Sequence, residues 1–353
     1  MKGVIPAAGL GTRLRPLTYT RPKPLLKVAN KSIIVYAIEN LRDAGISEIA
    51  LVVSDQTRLD IEGIVGTVPG VELSLVRQDE QLGLAHAVKV AREWLGDSDF
   101  CVYLGDNLFE EGVGEYVRVF NQEKADAAIA LVRVPDPRQF GVAVLDDSGR
   151  ITRLVEKPKD PPSDLAVAGV YCFSSAIHDV IENLAPSARG EYEITDAISG
   201  LITNGRTVRG VEVSGWWKDT GRPDDLLDAN RLLLEKIEPE LLGEVRDSRI
   251  VGRVRIEEGA VVENTTIIGP AVVGAGASLI DTYIGPFTSV GANARLARVE
   301  VEFSVIDEEA ELEAVPVRMQ ECLIGRKATV RGSDRIPRAH RLILSDTSSL
   351  ELG

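Results

Sequence analysis

Short apolar runs alternate with amphipathic segments over the first 110 residues. The strand-like runs are GVIPAA, EIALVVS, VELSLVR and DFCVYLGD. The segments between them, predicted as helices, are SIIVYAIENLRDAG, a stretch near Asp60–Val65, and AHAVKVAREWLG. Strands that alternate with helices of this length are typical of right-handed βαβ units. The pattern therefore predicts an α/β domain with a Rossmann-like, mixed but mostly parallel sheet.

Residues 110–240 show a more mixed pattern. Further strands are predicted at AAIALVRV, GVAVLDD, AGVYCF and VRGVEVSGWW, and helices at Glu193–Asn204 and DDLLDANRLLLEKI. We expect these elements to complete the same domain, which would span residues 1–240, and to form the outer wall of its cleft.

The pattern changes after residue 245, where single apolar residues recur among glycine, alanine and small polar residues. They are six positions apart within a triplet, and corresponding members of successive triplets are seventeen apart. The triplets are Ile250, Ile256 and Val262, then Ile267, Val273 and Leu279, then Ile284, Val290 and Leu296. This period predicts three short strands per coil of a parallel β-helix over residues 245–335, with antiparallel hairpins as the alternative. The period is looser after Leu296, and residues 336–353 are expected to form a separate tail.

Composition narrows the class of protein. A length of 353 residues predicts two or three domains, and 44% hydrophobic with 27% charged residues is typical of a globular protein. No apolar run is long enough to span a membrane, and the first one is too short for a signal peptide. The three cysteines, Cys101, Cys172 and Cys322, are expected to be reduced core thiols in a cytoplasmic protein. A net charge of −14 argues against nucleic-acid or membrane partners.

A glycine loop follows the first predicted strand. Gly9 and Gly11 fit the start of a dinucleotide-binding motif, but Leu14 stands at the third glycine position and Pro16 argues against an immediate long helix. Bare amides in such a loop can surround an anion. Four cations follow at Arg13, Arg15, Arg21 and Lys23, with prolines on both sides of Lys23. The sequence favours a phosphate-binding loop over a plain glycine turn with a solvated basic loop.

Motifs along the whole chain resemble those of the sugar-1-phosphate nucleotidyltransferase family. GLGTRLRPLTYTRPKPLL resembles its signature loop, QDEQLGLAHAV its base-recognition segment, and YLGDN its metal-binding strand end. FGV and VEKP are similar to its sugar-phosphate wall, and GEYEITD and WWKDTG to two later motifs. The repeats after residue 245, with RPKPLLKVANKSI, resemble the long form of the family, which ends in a left-handed β-helix of hexapeptide repeats.

This resemblance implies Mg²⁺-dependent transfer of a nucleoside monophosphate from dTTP to glucose 1-phosphate. The products would be dTDP-glucose and pyrophosphate, formed by direct in-line displacement. The attacking phosphate is already ionised, so no general base is needed. UTP in place of dTTP, or use of both, is the alternative. Acyl transfer in the β-helix is a weaker one, because residues 245–335 contain no histidine. We expect a homo-oligomer, a trimer or tetramer, formed through the β-helix.

The resemblance also implies roles for individual residues. The amides of Gly9, Gly11 and Thr12 would bind the triphosphate, Arg13 its β- and γ-phosphates, and Lys23 the α-phosphate. The remaining assignments are base recognition by Gln78 and Gly83, Mg²⁺ binding by Asp106 and Asp219, and sugar-phosphate binding by Gly141, Glu156, Lys157, Val167 and Trp217. Arg13, Lys23 and Asp106 would be the catalytic residues. Core roles are the alternative for Val167 and Trp217, and His86 is expected to be a helix-surface histidine without a role.

Overall fold

The computed structural model describes residues 1–333 and 348–351, which form two compact units. The first unit contains Met1–Gly11, Arg21–Leu25 and Ile33–Asp219. The second contains Thr12–Thr20, Leu26–Ser32 and the chain from Thr220 onward. The predicted domain borders at 240, 245 and 335 stay predictions, and most of the predicted tail lies outside the described residues.

Before residue 220 the chain alternates strands with helices. The strands are β1 (Lys2–Pro6), β2 (Lys27–Val28), β3 (Lys31–Ser32), β4 (Glu48–Val53), β5 (Glu72–Arg77), β6 (Phe100–Tyr103), β7 (Asn107–Phe109), β8 (Ala127–Arg133), β9 (Gly141–Leu145), β10 (Ile151–Glu156), β11 (Leu165–Phe173), β12 (Val208–Glu212) and β13 (Trp217–Asp219). The helices are α1 (Ile33–Asp43), α2 (Asp55–Glu62), α3 (Leu84–Val90), α4 (Arg92–Leu95), α5 (Gly114–Glu123), α6 (Ile177–Glu182) and α7 (Ile194–Thr203). Short 3-10 helices lie at Thr12–Leu14, Leu17–Tyr19, Lys23–Leu25 and Pro137–Gln139.

The first unit is built on a nine-stranded sheet. Its main path runs β10-β9-β11-β6-β1-β4-β5, and β8 pairs with both β11 and β12. β6, β1, β4 and β5 are parallel, whereas β11 is antiparallel to β6, β8 and β9. The predicted α/β fold with a mixed, Rossmann-like sheet is confirmed. Since parallel strands end at one edge, the loops after β1 and β6 begin side by side.

Both faces of this sheet are covered, as βαβ connections require. On β6, Phe100 and Val102 pack into one apolar cluster, and Cys101 and Tyr103 pack into the cluster on the opposite face. Helices α3, α6 and α7 contribute to the first cluster, and α1 and α5 contribute to the second. Strand β6 is therefore fixed from both sides just before the chain reaches Asp106.

Two predicted elements are misplaced. α2 begins at Asp55 rather than near Asp60, because Ser54 and Thr57 form a capping box at its start. The stretch VRGVEVSGWW is two strands in different sheets rather than one, since the chain turns at Gly215 (φ +75°). Strands β7 and β10 and helices α5 and α6 were not predicted.

The second unit consists mainly of short parallel strands. Helix α8 (Pro223–Leu234) precedes β14 (Glu240–Leu241), β15 (Glu244–Arg246), β16 (Arg249–Val251), β17 (Val254–Ile256), β18 (Val261–Glu263), β19 (Thr266–Ile268), β20 (Ala271–Val273), β21 (Ser278–Ile280), β22 (Tyr283–Ile284), β23 (Thr288–Val290), β24 (Arg295–Ala297), β25 (Glu300–Glu302), β26 (Val305–Ile306), β27 (Glu311–Glu313), β28 (Met319–Gln320), β29 (Leu323–Ile324) and β30 (Thr329–Arg331). These strands form three sheets, and in each sheet a strand pairs with the strand three places later in the chain. The predicted stacking of strands is therefore confirmed. The left-handed sense of the coil stays a prediction.

The predicted seventeen-residue period is the spacing in sequence between residues that pair in neighbouring strands. Ile250 pairs with Ile267, and Ile267 with Ile284. After Leu296 the stacking continues with a changed coil length, which is why the period fades from the sequence. Leu296 pairs with Leu312, sixteen residues on, and Leu312 pairs with Val330, eighteen residues on. The changes fall in the corners between strands.

A short hairpin near the N-terminus also belongs to the second unit. Strands β2 and β3 are joined by Ala29 and Asn30, both with positive φ. The backbone N–H of Ala29 donates to Asn230 Oδ1 at 2.8 Å, and Asn30 Nδ2 donates to the carbonyl oxygen of Val290 at 2.8 Å. The segment KVANKS therefore docks against α8 and the β-helix.

All three cysteines are free thiols, as predicted. Cys101 and Cys172 are buried, but Cys322 is only partly buried, so the prediction of a core position is wrong for Cys322. None of the helices in the described ranges has the length and apolarity that a membrane crossing requires.

Candidate active site

The glycine loop follows β1 and is held from two sides. Ala7 N donates to the carbonyl oxygen of Val52 at 2.8 Å, and Gln81 Nε2 donates to that of Ala8 at 2.7 Å. A Cβ atom at Gly9 would meet no atom within 4 Å, so this part of the loop is open to a ligand. Gln81 was not predicted, because nothing in the sequence connects it with the loop.

Thr12 and Arg13 come next in the chain and belong to the second unit. They lie in the 3-10 helix Thr12–Leu14, with both side chains exposed and Leu14 buried. The prediction that no long helix follows the loop is confirmed. The triphosphate-binding roles of Thr12 and Arg13 stay predictions.

Lys23 lies between two carboxylates. It begins the 3-10 helix Lys23–Leu25 and is only 7% exposed. Its Nζ donates to Asp106 Oδ2 at 2.5 Å and lies 3.6 Å from Asp219 Oδ1. The structure thus brings together three predicted site residues that are widely separated in the sequence.

The fold explains this meeting. Asp106 follows β6 at the carboxyl edge of the parallel strands. Asp219 ends β13, which pairs with β7 so that Asp219 lies opposite Asn107. A Cβ atom at Gly105 would lie 3.0 Å from Ile5 Cγ2, which shows how closely the chain follows β1 before Asp106.

Asn107 fixes the orientation of the Asp106 carboxylate. Trp217 Nε1 donates to Asn107 Oδ1 at 2.7 Å, and Asn107 Nδ2 donates to Asp106 Oδ1 at 2.8 Å. Because an indole N–H can only donate, the oxygen of Asn107 must face Trp217 and its NH₂ must face Asp106. Burial alone would raise the pKa of Asp106, but the charge of Lys23 and the bonds from Lys23 and Asn107 outweigh it and lower that pKa. Asn107 was not predicted.

The two carboxylates fit a divalent cation that is shared with a substrate. Oxygens of Asp106 and Asp219 already approach one positive group, the ammonium of Lys23. Mg²⁺ is usually bound by one or two carboxylates together with phosphate oxygens and water. Within residues 1–333 and 348–351 no cluster of three or more metal-ligating side chains occurs, so phosphate and water would complete the coordination.

Gln78 and His86 form a hydrogen-bonded pair. Gln78 is buried, with 4% exposure, and its Nε2 lies 3.0 Å from His86 Nδ1. The imidazole of His86 is half-buried and stacks on the ring of Tyr192, with a centroid distance of 6.1 Å. The prediction that His86 is a plain surface histidine is therefore wrong. The contact could not be predicted, since it joins a residue of a predicted helix to one that follows a predicted strand, and no pattern in the sequence relates the two.

Gly83 lies where two segments meet closely. A Cβ atom there would come within 2.7 Å of the carbonyl oxygen of Tyr192, and its φ of +102° favours glycine. Tyr192 N donates to Leu82 O at 2.7 Å, and Ala85 N donates to Tyr192 O at 3.0 Å. The GEYEITD motif is thus bonded directly to the segment that contains Gly83.

Gly141, Glu156 and Val167, three of the predicted sugar-phosphate-binding residues, lie close together. We call this group, with Thr195, the second wall. Gly141 pairs with Glu156 across β9 and β10. A Cβ atom at Gly141 would lie 2.7 Å from Thr195 Cγ2 and 3.3 Å from Val167 Cγ2, so only glycine fits without movement. Thr195 Oγ1 donates to Glu156 Oε2 at 3.1 Å. Trp217 lies near this wall, since its ring packs edge-to-face on Phe140 at 5.7 Å.

Two cations face the carboxylate of Glu156. Lys157 Nζ lies 3.5 Å from Glu156 Oε1, and Arg189 Nη2 donates to the same oxygen at 3.3 Å. Arg189 also donates to Glu193 at 2.7 Å, which holds its guanidinium in place. Arg189 and Thr195 were not predicted, although they lie beside and within GEYEITD. The second wall therefore offers a fixed carboxylate and two positive groups.

Comparison with known proteins defines the class. The Nucleotidyl transferase family matches residues 2–236, so the chain belongs to this family of enzymes, whose members generally use a divalent metal. A glucose-1-phosphate thymidylyltransferase of Streptomyces antibioticus is 46% identical over 100% of this chain and 99% of that protein. A UTP–glucose-1-phosphate uridylyltransferase of Haloferax volcanii is 39% identical over 67% of this chain and 98% of that protein. The structure of a UDP-glucose pyrophosphorylase from Acinetobacter baumannii matches with a TM-score of 0.60 and 30% identity, over 67% of this chain and 94% of that one.

Proposed function

We propose that this protein transfers a thymidylyl group from dTTP to glucose 1-phosphate, releasing dTDP-glucose and pyrophosphate, with Mg²⁺ bound. The observation that carries the proposal is the buried Lys23 ammonium facing Asp106 and Asp219 at the carboxyl edge of the sheet. Similarity to a thymidylyltransferase over the full chain supports the choice of substrates.

The chain's cations and amides bind the triphosphate. Backbone N–H groups of Gly9, Gly11 and Thr12 surround its phosphates, and Arg13 binds the β- and γ-phosphates that leave. Lys23 stabilises charge on the α-phosphate, and its burial keeps the ammonium in position without further ordering. Fixed charges of this kind act on developing negative charge with little reorganisation.

Asp106 and Asp219 hold Mg²⁺ together with phosphate oxygens and water. The ion supplies neutralisation of the negative charge that the two phosphorylated substrates bring together. Asn107 donates a hydrogen bond to Oδ1 of Asp106 and so fixes the orientation of the carboxylate. The chain's own contribution is thus a pair of carboxylates oriented before substrate binds.

The second wall binds glucose 1-phosphate. Glu156 accepts hydrogen bonds from sugar hydroxyls, and Lys157 binds the phosphate, with Arg189 as a second cation nearby. Gly141 and Val167 line the sugar pocket, and Trp217 packs beside it. A phosphate monoester has its second pKa near 6, so its oxygen attacks the α-phosphorus without a protein base.

UTP is the second candidate for the nucleotide. The Haloferax relative whose name carries this activity matches 67% of this chain. The experiment is to supply dTTP or UTP with glucose 1-phosphate and Mg²⁺, and to measure nucleotide sugar and pyrophosphate. A preference for dTTP supports the main proposal, and absence of product from both nucleotides overturns it.

We also propose that the β-helix mediates self-association into a trimer or tetramer. Apolar side chains at its first coil, Leu241, Leu242, Val245 and Val251, are exposed in the single chain. Multi-angle light scattering of the full chain measures the number of subunits. A monomer at micromolar concentration would contradict this assembly.

A further inference from the structure

The proposed chemistry does not use the contact between His86 and Gln78. His86 lies on α3 and its Nδ1 faces the side-chain amide of Gln78 at 3.0 Å. Gln78 is the residue proposed to read the edge of the base. The contact therefore bears on which atom of Gln78 faces the nucleotide.

A primary amide has an acceptor on one side and donors on the other. Since Nε2 of Gln78 is the atom that faces His86, Oε1 points away from the imidazole. No described residue donates a hydrogen bond to Oε1, and this oxygen is not among the buried side-chain atoms that lack a partner. It retains contact with solvent, although Gln78 as a whole is buried, and can accept a hydrogen bond from a ligand.

The imidazole that fixes this orientation is itself held in place. To accept from Gln78 Nε2, Nδ1 of His86 must carry no proton, which leaves the ring proton on Nε2. The ring stacks on Tyr192, with an interplanar angle of 27°. Tyr192 is bonded through its backbone to Leu82 and Ala85, on both sides of Gly83. The backbone around Gly83 therefore holds Tyr192 in place, and Tyr192 in turn supports the His86 ring.

We propose that His86 is a specificity-determining positioning residue: it holds the carbonyl oxygen of Gln78 toward the base and so selects bases with an imide N–H. This inference rests on the proposed function. Thymine and uracil present N3–H at that edge and can donate to Oε1 of Gln78. Cytosine presents an unprotonated N3, which would face the oxygen of Gln78 lone pair to lone pair. A rotated amide would instead offer its NH₂ to cytosine.

The kinetic test compares wild type, His86→Leu and His86→Asn with dTTP and dCTP. In His86→Leu the amide of Gln78 is free to rotate, so we expect KM for dTTP to rise about tenfold, which corresponds to one hydrogen bond. The preference for dTTP over dCTP falls by a similar factor, while kcat and KM for glucose 1-phosphate stay unchanged. His86→Asn keeps an oxygen near the place of Nδ1 that can accept from Gln78, and restores the preference. An unchanged preference in His86→Leu, or an equal loss in both variants, overturns the inference.

A spectroscopic measurement tests the same inference without catalysis. In protein labelled with ¹⁵N-histidine, long-range ¹H–¹⁵N spectra show which ring nitrogen carries the proton, and His86→Asn assigns the signal. We expect Nδ1 of His86 to be unprotonated at neutral pH, and a proton on Nδ1 contradicts the inference even if a variant fails to fold. If wild type makes no nucleotide sugar from dTTP or UTP, the proposed function fails. If wild type is active but the tautomer or the preference is wrong, only the role of His86 fails.

Discussion

The β-helix is held together by contacts that repeat from coil to coil, whereas the candidate active site is held together by contacts that occur once. In the β-helix each buried position is repeated one coil later, as Val262, Leu279 and Leu296 show by pairing in sequence. At the active site Lys23, Asp106 and Asp219 each occur once and come from distant parts of the chain. Repetition spreads stability over many equivalent contacts, whereas the site depends on single ones.

Polar groups follow the same division. In the β-helix Thr265 N donates to Ser248 Oγ, and one coil later Thr282 N donates to Thr265 Oγ1. At the site Asn107 is bound between Trp217 and Asp106, and no other residue in the described ranges repeats this arrangement. A substitution should therefore have graded effects in the β-helix and specific effects at the site.

The largest effect is expected from Lys23→Met. Removing the ammonium takes away a fixed charge near the α-phosphate, and we expect kcat to fall by about a hundredfold to a thousandfold. Initial rates of pyrophosphate release at saturating substrates measure this. Arg15→Met is the control, because Arg15 is exposed, 5.0 Å from the centroid of the Tyr19 ring, and has no assigned role. Equal losses in both variants would remove the distinction between the two cations.

In the β-helix the expected effect is on stability. Leu279 is fully buried between Val262 and Leu296, so Leu279→Ala should lower the free energy of unfolding by about 3 kcal/mol through lost contacts and a cavity. Ile280, the next residue of β21, is 40% exposed, and Ile280→Ala is the matched control with a small expected loss. Urea unfolding measures both. A loss in Ile280→Ala as large as in Leu279→Ala would show that the inward and outward positions are not distinct.

The same contrast explains what could be predicted from the sequence. The seventeen-residue period revealed the stacking, because the register of each coil is copied from the one before. It failed after Leu296, where corners change length while the pairing continues. Asp106 was predictable because a buried strand ends just before it and the motif around it resembles the family's.

The supporting residues of the site could not be predicted. Gln81, Asn107, Arg189 and Thr195 act through partners that are not adjacent in a repeat. His86 was misjudged for the same reason, since its contact with Gln78 joins α3 to the end of a strand. Hydrogen bonds of this kind leave no period in the sequence.

A histidine in the first unit gives that unit a distinct pH dependence. Burial, helped by the charge of Arg92, lowers the pKa of His178 from 6.5 to about 4. Because the unfolded chain takes up this proton at higher pH, stability is lost as pH falls from about 6.5 to about 4, by about 2 kcal/mol at pH 5. Residues 245–333 contain no histidine, so the β-helix lacks this contribution. Urea unfolding at pH 7 and pH 5 measures it, and His178→Phe should remove it; an unchanged pH dependence in this variant would contradict the assignment.

The smallest effect is expected from Trp217→Phe, which tests the hydrogen bond from Trp217 to Asn107 directly. Phenylalanine keeps a ring beside Phe140 but removes the N–H that fixes Asn107, so Asp106 loses a defined partner. We expect the Mg²⁺ concentration for half-maximal rate to rise about tenfold, the lower end for supporting contacts of metal ligands, with kcat nearly unchanged at saturating Mg²⁺. Calorimetric titration with Mg²⁺ and nucleotide should show the same shift without turnover. Trp216→Phe is the matched control, because the neighbouring indole of Trp216 makes no hydrogen bond to a described residue. If both variants shift the Mg²⁺ requirement equally, the bond to Asn107 is not what orients Asp106. The effect of a substitution at the site would then be graded, as in the β-helix, rather than specific.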